Sequence, residues 1–281
     1  TKNGGKKRVK EYADVHCHLT DEADYANIGG AEEAIARARQ AGVNKIIVSG
    51  FDLLSSARAK EIAAAHDGVY FCAGFQPEEL KIYENDEAAA VDDLKKIEEI
   101  AQDEKCVGIG EIGLDYHFPD HSPKELQRAF FVKQLRIADK LSLPVVIHSR
   151  DACADTLAIL HENRALLKKG FLMHCFSYAA ETVNEFLSLG AYFSFGGVST
   201  FKKAEKVRRA AVIVPKERIL TETDSPYLTP EPFRGIFPNE PKNIPYIAAN
   251  LASLRGENEE GFCAAVIGNA KRLFSALGES V

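Results

Sequence analysis

Two histidines one residue apart, His16 and His18, end a short apolar stretch near the start of the chain. In an extended strand, the side chains at i and i+2 project from the same face. The two imidazoles therefore point the same way and can share one metal ion, for which neutral imidazole is the commonest protein ligand. Such a pair also arises by chance, so the interpretation depends on further ligands elsewhere in the chain.

Further residues of metal-ligand type follow four other apolar stretches. They are Glu111, His148, His174 and Asp224. Each of them alone has a simpler explanation, because a buried histidine is usually hydrogen-bonded and a carboxylate often caps the next helix or loop. Together, four histidines and two carboxylates stand at matching places in five stretches, and this recurrence favours a metal centre.

Six ligands are too many for one ion that keeps an open position, and they suit two ions about 3.5–4 Å apart. The expected assignment is His16, His18 and Asp224 for one ion, His148 and His174 for the other, and Glu111 as the bridge. Two divalent ions bring four positive charges, of which the carboxylates offset two. Such a centre favours an anionic substrate such as a phosphodiester and lowers the pKa of bound water.

Eight predicted strands must position these residues. They are rich in β-branched and aromatic residues without polar alternation, as is typical of strands buried on both faces of a parallel sheet. The predicted strands are Tyr12–His16, Lys45–Ser49, Val69–Ala73, Cys106–Gly110, Val145–His148, Phe171–His174, Ala191–Phe195 and Arg218–Thr221. Helical patterns lie between them. This alternation predicts an α/β fold, a single (β/α)8 TIM barrel with the metal site at the C-terminal ends of the strands.

A doubly wound open sheet is the alternative fold. The chain contains a literal G-x-G-x-x-G at Gly108, Gly110 and Gly113. A dinucleotide-binding fold requires a helix to begin at that motif. The sequence that follows, LDYHFP at 114–119, is not typical of a helix start. We therefore interpret the match as accidental.

Composition limits the class of protein. With 281 residues, 46% hydrophobic and 27% charged, the chain has an ordinary globular composition, and we expect one barrel domain at 12–281 after a disordered tail at 1–11. The net charge of −6 argues against a broad basic surface for long nucleic acid. Long apolar runs and C-x-x-C spacings are missing, so we expect a soluble, cytoplasmic and monomeric protein without a membrane partner.

Six of the eleven prolines fall between Ser225 and Pro245. A connection of this length without regular structure is uncommon in a compact domain and is usually functional. The proline density predicts a rigid loop over the mouth of the barrel.

These motifs together resemble the TatD family of metal-dependent deoxyribonucleases, within the amidohydrolase-like superfamily. The matching stretches are DVHCH at 14–18, GEIGLDY at 110–116, PVVIHSR at 144–150, MHCFS at 173–177, SFGG at 194–197, ETDSPYL at 222–228, RG at 234–235 and NEP at 239–241. The resemblance extends from Tyr12 to Arg255. The set of motifs is specific, although no single motif is.

The resemblance implies that the six residues named above bind two ions, commonly Mg²⁺, Mn²⁺ or Zn²⁺. It also implies hydrolysis of DNA, often as a 3′-5′ exonuclease on single strands or ends. In the mechanism that we expect, a hydroxide activated by both ions attacks phosphorus, while Asp224 orients it and accepts its proton. Glu111 and Asp224 are then the catalytic residues. Arg150 and Arg234 are candidates for binding phosphate oxygens, which match the fork of a guanidinium.

The chain departs from the family pattern after the third predicted strand. Gln76 and Glu78 stand where the family often has histidines, so both are candidate substrate-binding residues with an altered role. A metal-dependent amide or ester hydrolase remains an alternative, although related enzymes with a lysine bridge carry lysine where this chain has Glu111. A non-catalytic metal-binding protein is a third interpretation.

Overall fold

Eight parallel strands follow one another in chain order around a barrel, in a computed structural model that describes residues 10–118, 120 and 122–278. They are β1 (Tyr12–Cys17), β2 (Val43–Ser49), β3 (Val69–Ala73), β4 (Cys106–Asp115), β5 (Val145–Arg150), β6 (Phe171–Met173), β7 (Ala191–Phe195) and β8 (Ile219–Thr221). This order confirms the (β/α)8 TIM barrel and excludes the doubly wound sheet. Residues 1–9 of the predicted tail and 279–281 of the predicted domain lie outside the described residues.

Helices cover the outside of the barrel and supply the connections between parallel strands. They are α1 (Glu22–Tyr25), α2 (Gly30–Gln40), α3 (Leu53–Ala65), α4 (Glu87–Ile100), α5 (Lys124–Leu141), α6 (Cys153–Glu162), α7 (Val183–Ser188), α8 (Glu205–Ile213), α9 (Ile244–Leu254) and α10 (Glu259–Leu273). Within the described part of the chain, no helix combines the length and apolarity needed to cross a membrane.

The strands are buried on both faces, which explains their continuous apolar sequence. All residues of β3, β6, β7 and β8 are buried, and large side chains such as Phe71, Phe171 and Phe193 are fully enclosed. The barrel closes between β8 and β1, where the Asp224 amide donates to the His16 carbonyl at 3.0 Å. This bond fixes the end of β8 beside the histidine pair.

Strand β4 continues five residues beyond the predicted end at Gly110 and pairs with β5 as far as Asp115. Gly113 makes this pairing possible, because a Cβ at that position would lie 2.0 Å from the His148 carbonyl oxygen. The G-x-G-x-x-G match therefore lies inside a strand, and the next helix begins only at Lys124. The accidental interpretation of that motif is confirmed.

The proline-rich segment connects β8 to α9, and residues 222–240 form neither helix nor strand. Tyr227 and Leu228 border the central cavity, as predicted for a loop over the mouth. Phe233, Ile236 and Pro238 instead line a separate cavity at the side of the barrel, together with residues of α2 and α9. The buried Asn239 side chain fixes the loop by donating to the carbonyls of Thr223 and Tyr227.

Candidate metal centre

All six predicted ligands converge at the C-terminal end of the barrel. Five of them, namely His18, Glu111, His148, His174 and Asp224, line a cavity of about 590 Å³. His16 is completely buried, and its ring stacks on His174 at a centroid distance of 3.9 Å. The sequence therefore identified residues that the fold brings together from five different strands or strand ends.

Glu111 lies between two pairs of histidines and presents one carboxylate oxygen to each pair. Its Oε2 is 3.3 Å from Nε2 of both His16 and His18. Its Oε1 is 2.8 Å from His148 Nδ1 and 2.9 Å from His174 Nε2. Glu111 is therefore the carboxylate at the centre of the cluster, close to all four imidazoles.

Asp224 completes one side of the cluster. Its Oδ1 is 3.6 Å from His16 Nε2 and 3.5 Å from His18 Nε2. Ligand atoms of His16, His18 and Asp224 all lie within 4.8 Å of one another. The same limit holds for a group made up of Glu111, His148 and His174, and for a third made up of His16, His174 and Glu222. The third group joins a histidine of each predicted half, so the division of ligands between two ions stays a prediction.

Outer hydrogen bonds orient three of the four imidazoles. Asp115 Oδ2 lies 2.8 Å from His148 Nε2, on the ring edge opposite the cluster. Ser49 contacts both His16 in β1 and His18, the residue that follows β1. Its hydroxyl lies 3.0 Å from His16 Nδ1, and its carbonyl oxygen lies 3.0 Å from His18 Nδ1. Such partners fix the tautomer and direction of a metal-binding imidazole.

The sequence analysis missed Asp115, although a signal was present. Glu111, Gly113 and Asp115 have the period of two that places residues on one face of a strand. Ser49, at the end of β2, carried no comparable signal. A serine there is equally compatible with a turn.

Glu222 is a second functional candidate that the sequence analysis missed. It is fully buried, and its carboxylate accepts hydrogen bonds from the Cys175 amide and the Ser194 hydroxyl. Its Oε2 lies 3.9 Å from His174 Nδ1. The carboxylate therefore supports the loop after β6, which carries His174 into the cluster.

The ionised form of the carboxylates follows from their neighbours. Burial would raise the pKa of Glu111, but His174, His148 and His16 hold that pKa well below its usual range. Burial would likewise raise the pKa of Asp224, but the hydrogen bond with His18 lowers it. Both groups are therefore negative at neutral pH, which is the form that binds a cation.

The imidazoles respond in opposite directions. Burial and the neighbouring His174 lower the pKa of His16 to about 4. For His18, burial is outweighed by the carboxylates of Asp224 and Glu111, which raise its pKa to about 10. Whether each buried imidazole carries a positive charge therefore depends on how closely it approaches the carboxylates of Glu111 and Asp224.

The donor set fits divalent metal ions. Glu111 Oε2 is buried without a hydrogen-bond donor, and four imidazole nitrogens converge on the same carboxylate. Among the described residues, no lysine or arginine forms an ion pair with Glu111 or Asp224. Mixed imidazole and carboxylate ligands suit several first-row metals as well as zinc.

The four predicted substrate-binding residues divide into two groups. Gln76, Glu78 and Arg150 line the cavity, and the Arg150 guanidinium lies 5.0 Å from the centre of the Phe118 ring. Arg234 lies outside this cavity. Its guanidinium stacks 4.1 Å above the Phe201 ring in a neighbouring depression.

Comparison with known proteins places the chain in a family. Residues 13–275 match the model of the family described as TatD related DNase. The chain is 40% identical over 262 residues to the "Uncharacterized metal-dependent hydrolase YabD" of Bacillus subtilis (strain 168), covering 93% of this chain and 98% of that protein. It is 36% identical over 250 residues to the "3'-5' ssDNA/RNA exonuclease TatD" of Cronobacter sakazakii, covering 86% of this chain and 91% of that protein.

A solved structure agrees with the sequence comparison. The TatD homologue YJJV of Escherichia coli K12 superimposes with a TM-score of 0.83 at 30% identity, covering 94% of this chain and 98% of the other. The family match over nearly the whole chain, the shared barrel and the cluster of ligands at its C-terminal end agree. The chain belongs to the TatD-related DNase family of metal-dependent hydrolases.

Proposed function

We propose that this chain is a deoxyribonuclease that removes nucleotides from the 3′ end of single-stranded DNA and uses two divalent ions. One observation carries the proposal. The two oxygens of Glu111 face two separate histidine pairs. The name of the relative from Cronobacter sakazakii supports the choice of substrate and polarity.

Each ion has a set of protein ligands. His16, His18 and Asp224 would hold one, His148 and His174 the other, and Glu111 both. Divalent ions held there supply Lewis acidity, which lowers the pKa of water towards neutrality and offsets the charge of a phosphate. The ligands do not select among Mg²⁺, Mn²⁺ and Zn²⁺.

Asp224 is the residue that accepts a proton from the attacking water. Its carboxylate lines the cavity, and its pKa lies below the usual value, so it is ionised and ready at neutral pH. The backbone bond from its amide to the His16 carbonyl fixes its position at the cluster. Replacement by Asn would keep the shape and remove the proton acceptor.

Arg150 is the residue to which we assign binding of the substrate phosphate. Its side chain lines the cavity on the β5 side, next to His148 in the same strand. The ring of Phe118 packs against one face of the guanidinium. This contact restricts the orientation of the guanidinium, whose N–H groups can bind two phosphate oxygens at once. We assign to it the non-bridging oxygens of the phosphodiester.

The size of the cavity favours the end of a DNA strand as the substrate. Its volume of about 590 Å³ is in the range of small-ligand sites, and Tyr227 and Leu228 border the mouth. A flexible single-stranded end can enter such a cavity, whereas the interior of a duplex first has to be unpaired.

Digestion of labelled DNA tests the proposal. The purified chain is treated with a chelator and then supplied with Mg²⁺, Mn²⁺ or Zn²⁺. We expect a 5′-labelled single strand to shorten stepwise from its 3′ end only after a metal is restored, with about two ions bound per chain at full activity. Activity equal to that of the restored enzyme in excess chelator would contradict the proposal. So would hydrolysis of an ester or amide panel without hydrolysis of any phosphodiester.

A further inference from the structure

A second depression adjoins the catalytic cavity on the β7 side. It has a volume of about 390 Å³, and its lining includes Ser177, Phe201, Lys203, Lys206 and Arg234. Ser177 also lines the catalytic cavity. The two spaces therefore meet at this side chain, and a chain-like ligand can extend from one into the other.

The wall of this depression is basic, although the protein as a whole carries a net charge of −6. Residues 202–209 contain five lysines and arginines and one acid, Glu205, which pairs with Arg209 at 2.6 Å. Lys203, Lys206 and Arg234 are exposed. In the described part of the chain, none of these three forms an ion pair with a carboxylate. Their charges are available to a ligand.

Phe201 and Arg234 form a flat surface inside the depression. The guanidinium stacks on the ring at 4.1 Å, so its second face is directed away from the ring. The Arg208 side chain donates to the Phe201 carbonyl and holds the loop between β7 and α8. Nucleic-acid bases stack on aromatic rings and on guanidinium planes.

We infer that the depression lined by Lys203, Lys206 and Arg234 binds the backbone and a base of the single strand that continues from the scissile phosphodiester. This inference rests on the proposed function and adds a direction to it. The strand passes from the catalytic cavity across Ser177 to the loop between β7 and α8. It also gives Arg234 a role in binding the strand outside the cavity.

Two double variants with the same change of charge test the inference. Lys203→Gln/Lys206→Gln removes two charges from the depression, whereas Lys95→Gln/Lys96→Gln removes two exposed charges from α4. KM and kcat are measured with a dithymidylate and with a twelve-residue oligothymidylate, and binding of the longer strand is measured by fluorescence anisotropy over a range of salt concentrations.

We expect Lys203→Gln/Lys206→Gln to raise the dissociation constant and KM for the longer strand about tenfold at moderate salt, with a much smaller change for the dithymidylate. The slope of log K against log salt should fall by about 1.4, from about 0.7 for each phosphate contact on a single strand. The α4 variant should match the wild type. Equal effects on both substrates, equal effects of the two variants, or unchanged binding would overturn the inference.

The two proposals fail in different ways. If the wild type hydrolyses neither substrate with any of the three metals, the proposed function fails, and anisotropy alone then decides on the depression. If the wild type hydrolyses both substrates and Lys203→Gln/Lys206→Gln shows no dependence on strand length, only the present inference fails.

Discussion

The two ends of the barrel treat their buried polar groups differently. At the C-terminal end, buried imidazoles and carboxylates crowd together, and both Glu111 Oε2 and His174 Nδ1 are buried without a hydrogen-bond partner. At the N-terminal end, the buried Asn269 side chain finds its partners in the backbone, because its amide donates to the carbonyls of Lys216 and Ile219 at 2.8 Å.

This difference separates function from stability within one fold. Unpartnered buried polar atoms cost free energy, and they persist where a ligand completes them. Side chains that bind carbonyls at helix and strand ends instead satisfy groups that would otherwise be unpaired. We therefore expect substitutions at the C-terminal end to change metal binding and catalysis, and substitutions at the N-terminal end to change the free energy of unfolding.

The largest effect is expected for Glu111→Gln. The amide keeps the size of the side chain but cannot offer an anionic oxygen to each histidine pair. We expect kcat/KM on single-stranded DNA to fall more than about a thousandfold, which corresponds to roughly 4 kcal/mol. Metal analysis should show fewer than two ions per chain. Wild-type activity together with full metal occupancy in this variant would contradict the proposal that Glu111 binds both ions.

At the opposite end, Asn269→Leu should affect stability. Asn269 is fully buried, and the substitution leaves two carbonyls without their donor. We expect the free energy of unfolding to fall by about 2–3 kcal/mol, measured by urea denaturation. The kcat of the folded variant should equal that of the wild type. A large loss of kcat without a loss of stability would break the proposed separation of the two ends.

Asp115→Asn tests the hydrogen bond that orients His148 at the C-terminal end of the barrel. Asp115 is buried, and its carboxylate orients His148 from the side opposite Glu111. We expect metal affinity to weaken about 10–100-fold, as is typical when the partner of a metal-binding histidine is replaced. Titration of the metal-free chain measures this change. Excess metal should restore most of the activity, and a loss that no metal concentration restores would instead indicate a direct role in the reaction.

The sequence predicted the members of the cluster better than the residues that support them. Residue type and strand position were sufficient to predict that His16, His148 and Asp224 lie close together, because the C-terminal ends of barrel strands meet in one place. Asp115 was missed because the continuation of β4 past Gly110 depends on tertiary pairing with β5, which Gly113 permits. Arg234 was predicted to bind phosphate oxygens from the chemistry of its guanidinium, but the path of a loop without regular structure determines its actual position.

The smallest effect is expected for Lys105→Met. This variant tests whether a change at the N-terminal end of the barrel leaves the metal centre at the C-terminal end unaffected. Lys105 precedes β4, and its Nζ donates to the carbonyls of Ala63 and His66 at the end of α3, at 2.5 and 2.9 Å. Methionine keeps most of the apolar stem but removes both bonds. Because the site is partly exposed, water replaces some of the lost bonding, and we expect a loss of about 1 kcal/mol in the free energy of unfolding. Metal affinity should be unchanged, since the substitution lies at the end of the barrel opposite the ligands. A shift in metal affinity would show that the two ends are coupled through β4, the strand that joins Lys105 to Glu111.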